Sequence, residues 1–207
     1  MANSLYWLIL QSISSNEIQF VKEIKSKQKI SAKIDKEIKN IIARAIAESN
    51  RKKKTNSKVF ALTPEAKILS NNFTSNKGKL PWPVEKGYVT LKYGKQPHPV
   101  VKTATIQSNG IRIITASSQN VRSIFDGVIY RIISSKNGSK TILVQHGNFF
   151  TVYKNLASIY VEKGDRVSTK QNLGKIITNK NSGQTILSFS LFKDNKTENP
   201  LLWLGQK

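Results

Sequence analysis

A chain of 207 residues with 38% hydrophobic content has room for one well-cored domain plus an appendage, or for two small domains, with part of its length outside any core. The absence of cysteine excludes disulfides and thiolate metal sites without fixing the compartment. The formal charge of +22 suits an anionic neighbour, but 28 of the 34 basic residues are lysines spread along the chain beside abundant Asn and Ile. Nucleic-acid readers favour Arg for bidentate contacts, so the pattern reads as the coding bias of an AT-rich genome, with no nucleic-acid partner expected.

Met1 to Gln11 holds a short apolar run, Leu5 to Leu10, with no Lys or Arg before it and no small-residue cleavage site. It is expected to be neither a signal peptide nor a membrane span. Asn16 to Ser49 reads as one helix, with Asn16 as N-cap and Gln19 three residues on. Ile30, Ile34, Ile38, Ile41 and Ala45 recur at spacings of three and four, a stripe that needs a partner. Residues 1–50 are therefore expected to be a coiled-coil arm, pairing with another copy or lacking the strand it once paired with. The alternative is a helix packed on its own domain.

Arg51-Lys52-Lys53-Lys54 reads as a solvated helix end opening a linker over 51–78. Within it, Thr63-Pro64-Glu65 starts a short helix near 64–70, Thr63 serving as cap and Pro64 as the first helical residue. Leu80-Pro81-Trp82-Pro83 then leads into a domain spanning 79–207. Its texture is mainly β: candidate strands are 88–92, 110–115, 121–125, 128–133, 140–146, 149–156, 158–161, 172–178 and 186–193. Turns at Asp126-Gly127, Asn137-Gly138, Gly147-Asn148, Gly164-Asp165 and Ser182-Gly183 separate them. Gly127 and Gly164 are expected at positive φ, and Asp165 to bond its own turn.

Four stretches carry the functional reading: Gly110-Ile111-Arg112-Ile113, His146-Gly147-Asn148, Tyr153-Lys154-Asn155-Leu156 and Leu187-Ser188-Phe189-Ser190. In that order and spacing they resemble the lysostaphin-like, or LytM-type, peptidoglycan endopeptidase domain. Val121 to Ile129 and Val161 to Val167, the latter followed by Gln171 and Gly174, match two further blocks of that family, with Lys170 in place of a glycine. Biotinyl and lipoyl carrier domains share those two blocks, but a carrier needs a modified lysine at a hairpin tip, and neither Lys136 nor Lys140 sits in such a motif. The resemblance implies an antiparallel β-sheet domain, a duplicated hybrid motif, behind a coiled-coil-type helix.

Active members read His-x-Gly-x-Asp, Tyr-x-His-Leu and His-Leu-His-Phe, whereas the matching positions here hold Ser108 and Arg112, then Asn155, then Ile186 and Ser188. A hydrolytic zinc site needs about three protein ligands and an open position for an activated water. The resemblance therefore implies a pseudoenzyme with no metal and no cofactor. The rival reading is a zinc-dependent peptidoglycan endopeptidase. A residual metal site could be assembled only from His98, His146 and a carboxylate such as Asp126.

Thr63-Pro64-Glu65, Asn76 to Val84, Gln145 to Leu156 and Asn199 to Leu204 resemble the EnvC-type murein hydrolase activators. That subfamily implies a periplasmic or cell-envelope protein that activates a peptidoglycan amidase in cell-wall remodelling and daughter-cell separation. The partner would be received in a groove at the degenerate site, formed by Ser108, Arg112, Asn155, Ser188, Tyr93 and Tyr153. The helical arm would reach a membrane division complex, with peptidoglycan nearby. A passive binder held by charge alone is a third class, marked by steep salt dependence.

Overall fold

The computed structural model describes residues 2–55, 57, 59–97, 105–135 and 138–206, with side chains described from residue 19 onward. His98 and Lys136 lie outside the described residues, as do the side chains of the apolar run from Leu5 to Leu10. Among the described residues no helix is long and apolar enough to cross a membrane. The chain forms two compact units, one of residues 1–40 with 95–107, the other of residues 41–94 with 108–207.

Helix α1 runs from Ala2 to Lys52. Asn16, expected as its N-cap, lies inside the helix, because the preceding segment continues the helical backbone toward the N-terminus. Of the expected stripe, Ile38 and Ala45 are buried and Ile34 and Ile41 half-buried, while Ile30 is 59% exposed. Among the covered positions, Val21, Ile24, Gln28, Ser31, Asp35, Ile38, Ile42 and Ala45 alternate steps of three and four, with Ile34, Ile41 and Ile46 covered beside them. That is the 3.5-residue repeat of a coiled-coil seam, with polar residues at three of its positions. In the first unit, β2 (Gly94–Pro97) pairs with β3 (Thr105–Ser108), and the Gln28 side chain donates to the Thr105 carbonyl at 2.8 Å.

In the second unit the segment after α1 folds back on the helix end. The Asn50 amide donates to the Val59 carbonyl at 3.0 Å, and its oxygen accepts from the Ala61 amide at 2.8 Å. Helix α2 (Pro64–Ser75) starts as the sequence predicts, the Thr63 hydroxyl accepting from the Ala66 amide at 3.2 Å. It continues past Ser70 because Phe73 is a core residue. The Phe73 ring lies 4.5 Å from that of Phe149 and 5.3 Å from that of Trp203.

The remaining strands form one ten-stranded antiparallel sheet. They are β1 (Tyr88–Leu91), β4 (Ile111–Thr115), β5 (Asn120–Arg122), β6 (Gly127–Ser134), β7 (Lys140–His146), β8 (Phe149–Ile159), β9 (Arg166–Val167), β10 (Asn172–Ile176), β11 (Thr185–Lys193) and β12 (Lys196–Glu198). The main path reads β1-β4-β11-β8-β7-β6-β9, with β10 bridging β5 and β8 and β12 pairing with β11. Alternation along each strand gives two faces. Ile111, Ile113, Leu187, Phe189 and Tyr153 point into the main core. On the opposite face Phe150 packs on Phe60 at 5.6 Å and on Tyr130 at 5.5 Å between ring centroids.

Two expectations for the turns separate here. Gly164 has φ +99°, and the Asp165 carboxylate accepts from the Glu162 amide at 2.7 Å, as the turn chemistry predicts. Gly127 is not at positive φ. Its glycine is required by close approach, since a Cβ there would meet the Gln145 carbonyl and His146 Nδ1, each at 2.6 Å.

Candidate functional site

The degenerate site is built by three neighbouring strands, β4, β11 and β8. In the sheet register Ser188 lies opposite Arg112 on one side and opposite Lys154 on the other. Adjacent strands are about 4.8 Å apart, so the Arg112 and Lys154 backbones stand roughly 10 Å from one another across Ser188. Arg112 is exposed, and Ser188 and Lys154 are half-buried. All three point away from the core face, because their strand neighbours Ile111, Ile113, Phe189 and Tyr153 are buried on it. Neither charge is drawn into the core, where desolvation would be costly.

Asn155 follows Lys154 and breaks the strand. Its φ is +74°, and the pairing of β7 with β8 shifts register as it passes this residue. Asn, Asp and His are the non-glycine residues most often found in this conformation. The same backbone can therefore hold either the histidine of an active LytM-type domain or the asparagine found here. The Asn155 side chain donates to the Ile186 carbonyl at 2.7 Å, and the Asn155 carbonyl accepts from the Ile177 amide at 2.9 Å.

Ser108 ends β3 and turns toward β4, its hydroxyl donating to the Gly110 carbonyl at 2.8 Å. Gly110 lies so close to β11 that a Cβ would fall 2.2 Å from the Phe189 carbonyl. The structure thus brings Arg112, Ser188 and Asn155 to neighbouring strands and adds Lys154, while Ser108 ends β3, which pairs with β2 outside that sheet. The signal for Lys154 is the period-two alternation from Tyr153, whose ring faces the other way.

The two tyrosines are placed differently. Tyr153 has no exposed surface, and its phenol accepts from the Ile124 amide at 3.1 Å, so it is a core residue and does not line the outer face. Burial raises its pKa. The Tyr93 phenol lies 2.9 Å from the Thr197 hydroxyl. Thr197 sits on β12 opposite Phe192, four residues along β11 from Ser188 and roughly 13 Å away at the strand rise. Its hydroxyl is tied to the far end of the strand from the Arg112 row.

His146 is also committed to the core. Its Nδ1 lies 2.6 Å from the Asp126 main-chain carbonyl and its Nε2 lies 2.8 Å from the Thr151 hydroxyl. A carbonyl can only accept, so Nδ1 carries the proton and Nε2 accepts from Thr151. Burial lowers the imidazole pKa to about 4, holding it neutral with both nitrogens in use. The Asp126 carboxylate accepts from the amide and hydroxyl of Thr169, each at 2.7 Å. His146 and Asp126 thus serve the fold rather than an ion. Among the described residues no cluster of three or more His, Cys, Asp or Glu side chains could hold a metal. The donors at the former ligand positions are two hydroxyls, an amide and a guanidinium, a set that does not fit zinc.

Residues 107–200, a little under half of the chain, match the model of Peptidase family M23, and this region is an M23-type, LytM-like domain. Among curated proteins none matches the chain. Solved structures with a similar fold include a chain of the SpoIIQ–SpoIIIAH pore-forming complex, at 23% identity and TM-score 0.51 over 62% of this chain and 92% of that one. A zinc-containing peptidase from Vibrio cholerae matches at 23% identity and TM-score 0.51, over 60% of this chain and 40% of that one. Csd3 from Helicobacter pylori matches at 20% identity and TM-score 0.51, over 62% of this chain and 35% of that one. The match spans well under half the length of these last two proteins. At these identities the likeness is one of fold.

Proposed function

We propose that this M23-type domain is catalytically inactive and that the chain, like the EnvC-type murein hydrolase activators it resembles, activates a peptidoglycan amidase at the cell envelope during cell-wall remodelling and daughter-cell separation. The observation that carries the reading is the row Arg112–Ser188–Lys154, where two cations flank a serine and where Arg112 and Ser188 match ligand positions of the family the chain resembles. A guanidinium and an ammonium group there disfavour a divalent cation, and an arriving acidic group would join the interactions that Arg112 and Lys154 already make. A carboxylate on a helix of the amidase would meet a guanidinium suited to bidentate pairing, with the lysine adding a second positive charge. Laying a helix against a groove between secondary-structure elements is a common recognition mode, and the Ile114–Ile186 pair beside the row offers an apolar anchor. The helical arm would connect the domain to a membrane division complex, with peptidoglycan as the neighbouring polymer.

The test mixes the purified chain with a peptidoglycan amidase and follows release of stem peptides, and separately assays the chain on cross-linked peptidoglycan with zinc added. Faster amidase turnover and no cross-link cleavage by the chain are expected. Zinc-dependent cleavage by the chain alone would overturn the reading in favour of an endopeptidase, and an unaffected amidase would remove the activator role.

A further inference from the structure

Helix α1 carries three faces of different chemistry between residues 19 and 41. The first is the covered seam described above. The helix advances about 100° per residue, which places Lys22, Lys25, Lys29, Lys33 and Lys36 together on a second face, and all five are exposed. A third face holds Phe20, Glu23, Lys27, Ile30, Ile34 and Glu37. Of its large apolar side chains Phe20 is 57% and Ile30 59% exposed, while Ile34 is half-buried. It also holds Glu23 and Glu37, while the lysine face bears no acid. Lys27 bridges to Glu23 at 2.7 Å, both side chains remaining more than half exposed.

We propose that this third face pairs, antiparallel, with the same face of a second copy of the chain, with Ile30 of one copy against Ile34 of the other. Charge selects both occupant and direction. In the antiparallel register that joins Ile30 to Ile34, Lys27 falls opposite Glu37 of the second copy, and the two-fold axis repeats the pair. A parallel pairing would set Glu23 on Glu23, Lys27 on Lys27 and Glu37 on Glu37. Flanking charges fix helix-pair orientation in this way. The lysine faces of both copies then point away from the contact, where mutual repulsion is least. Phe20 to Glu37 spans about 26 Å of helix, a contact at the small end of specific interfaces, so the dimer is weak and reversible.

The full chain is examined by sedimentation equilibrium over a concentration series. A monomer–dimer equilibrium is expected. Lys27→Glu and Glu37→Lys should each weaken the dimer roughly tenfold, since each converts two exposed attractions into repulsions. The double variant Lys27→Glu/Glu37→Lys should restore wild-type affinity, although it leaves Glu23 beside another glutamate within the helix. Restoration therefore reports the contact between copies and not helix stability. Ile30→Lys should abolish the dimer with the thermal unfolding curve unchanged, because Ile30 is mostly exposed in the single chain. A chain that stays monomeric across the series overturns the proposal and assigns the face to a different protein. A double variant as weak as the singles overturns the antiparallel register.

Discussion

The Asn155 side-chain amide donates a 2.7 Å hydrogen bond to the Ile186 carbonyl, joining two positions that match histidines in the motifs of active LytM-type domains. The bond closes the gap between β8 and β11 from within the protein. It also uses a side chain whose own backbone sits at φ +74°. One residue thus replaces a histidine at that position and ties the former ligand strands together.

Asn155→Ala should lower stability by about 2 kcal/mol, combining a lost hydrogen bond with a left-handed backbone that alanine disfavours. Asn155→Gly loses only the bond and should cost about half as much. Urea denaturation of the two variants measures the difference. Equal losses would show that the conformation at 155 carries no strain.

The buried imidazole makes stability depend on pH. His146 has a folded-state pKa of about 4, below the ordinary histidine value, so the unfolded chain binds the extra proton as pH falls through the window between them. Stability from this group is complete above about pH 6.5 and declines toward pH 4, by on the order of 3 kcal/mol. Urea midpoints at pH 7, 5.5 and 4.5 should fall accordingly. His146→Gln should flatten that part of the profile while lowering stability at neutral pH.

Lys170 occupies a position where the family carries glycine, and it has φ +68°. Its amide donates to the Ser123 carbonyl at 2.8 Å, which holds the conformation in place. Lys170→Gly should therefore stabilise the domain by about 0.5–1 kcal/mol, the relief of left-handed strain exceeding the added flexibility of the unfolded chain. A thermal unfolding midpoint that falls in the variant would contradict this.

Turn residues and alternation made most of the sheet legible, because Asn137-Gly138 and Gly147-Asn148 bracket β7 and Ser182-Gly183 precedes β11. The two-residue β9 and three-residue β12 are too short to show a period, and the expected strands 149–156 and 158–161 form one strand, β8, that runs on to Ile159. On α1 the expected stripe is covered at Ile34, Ile38, Ile41 and Ala45; toward the N-terminus Gln28, Ser31 and Asp35 continue the covered face, where a count of isoleucines follows Ile30 instead. In the site, Ser108, Arg112, Asn155 and Ser188 came from motif spacing. Lys154 needed the strand register, which shows that it shares a row with Arg112 while Tyr153 does not. The Tyr93 contact with Thr197 links segments a hundred residues apart, and no local pattern encodes it.

The most direct test of the activator account is amidase stimulation by charge-reversal variants. Arg112→Glu and Lys154→Glu should each abolish stimulation, with losses of roughly 2–5 kcal/mol in binding if the contact with an acidic helix is desolvated. Reversal of Lys52 and Lys53 at the helix end should weaken it only modestly and mainly at low salt. Unchanged thermal unfolding of each variant shows that the domain is intact. The account is contradicted if both row variants stimulate the amidase normally while the Lys52 and Lys53 reversal abolishes the effect.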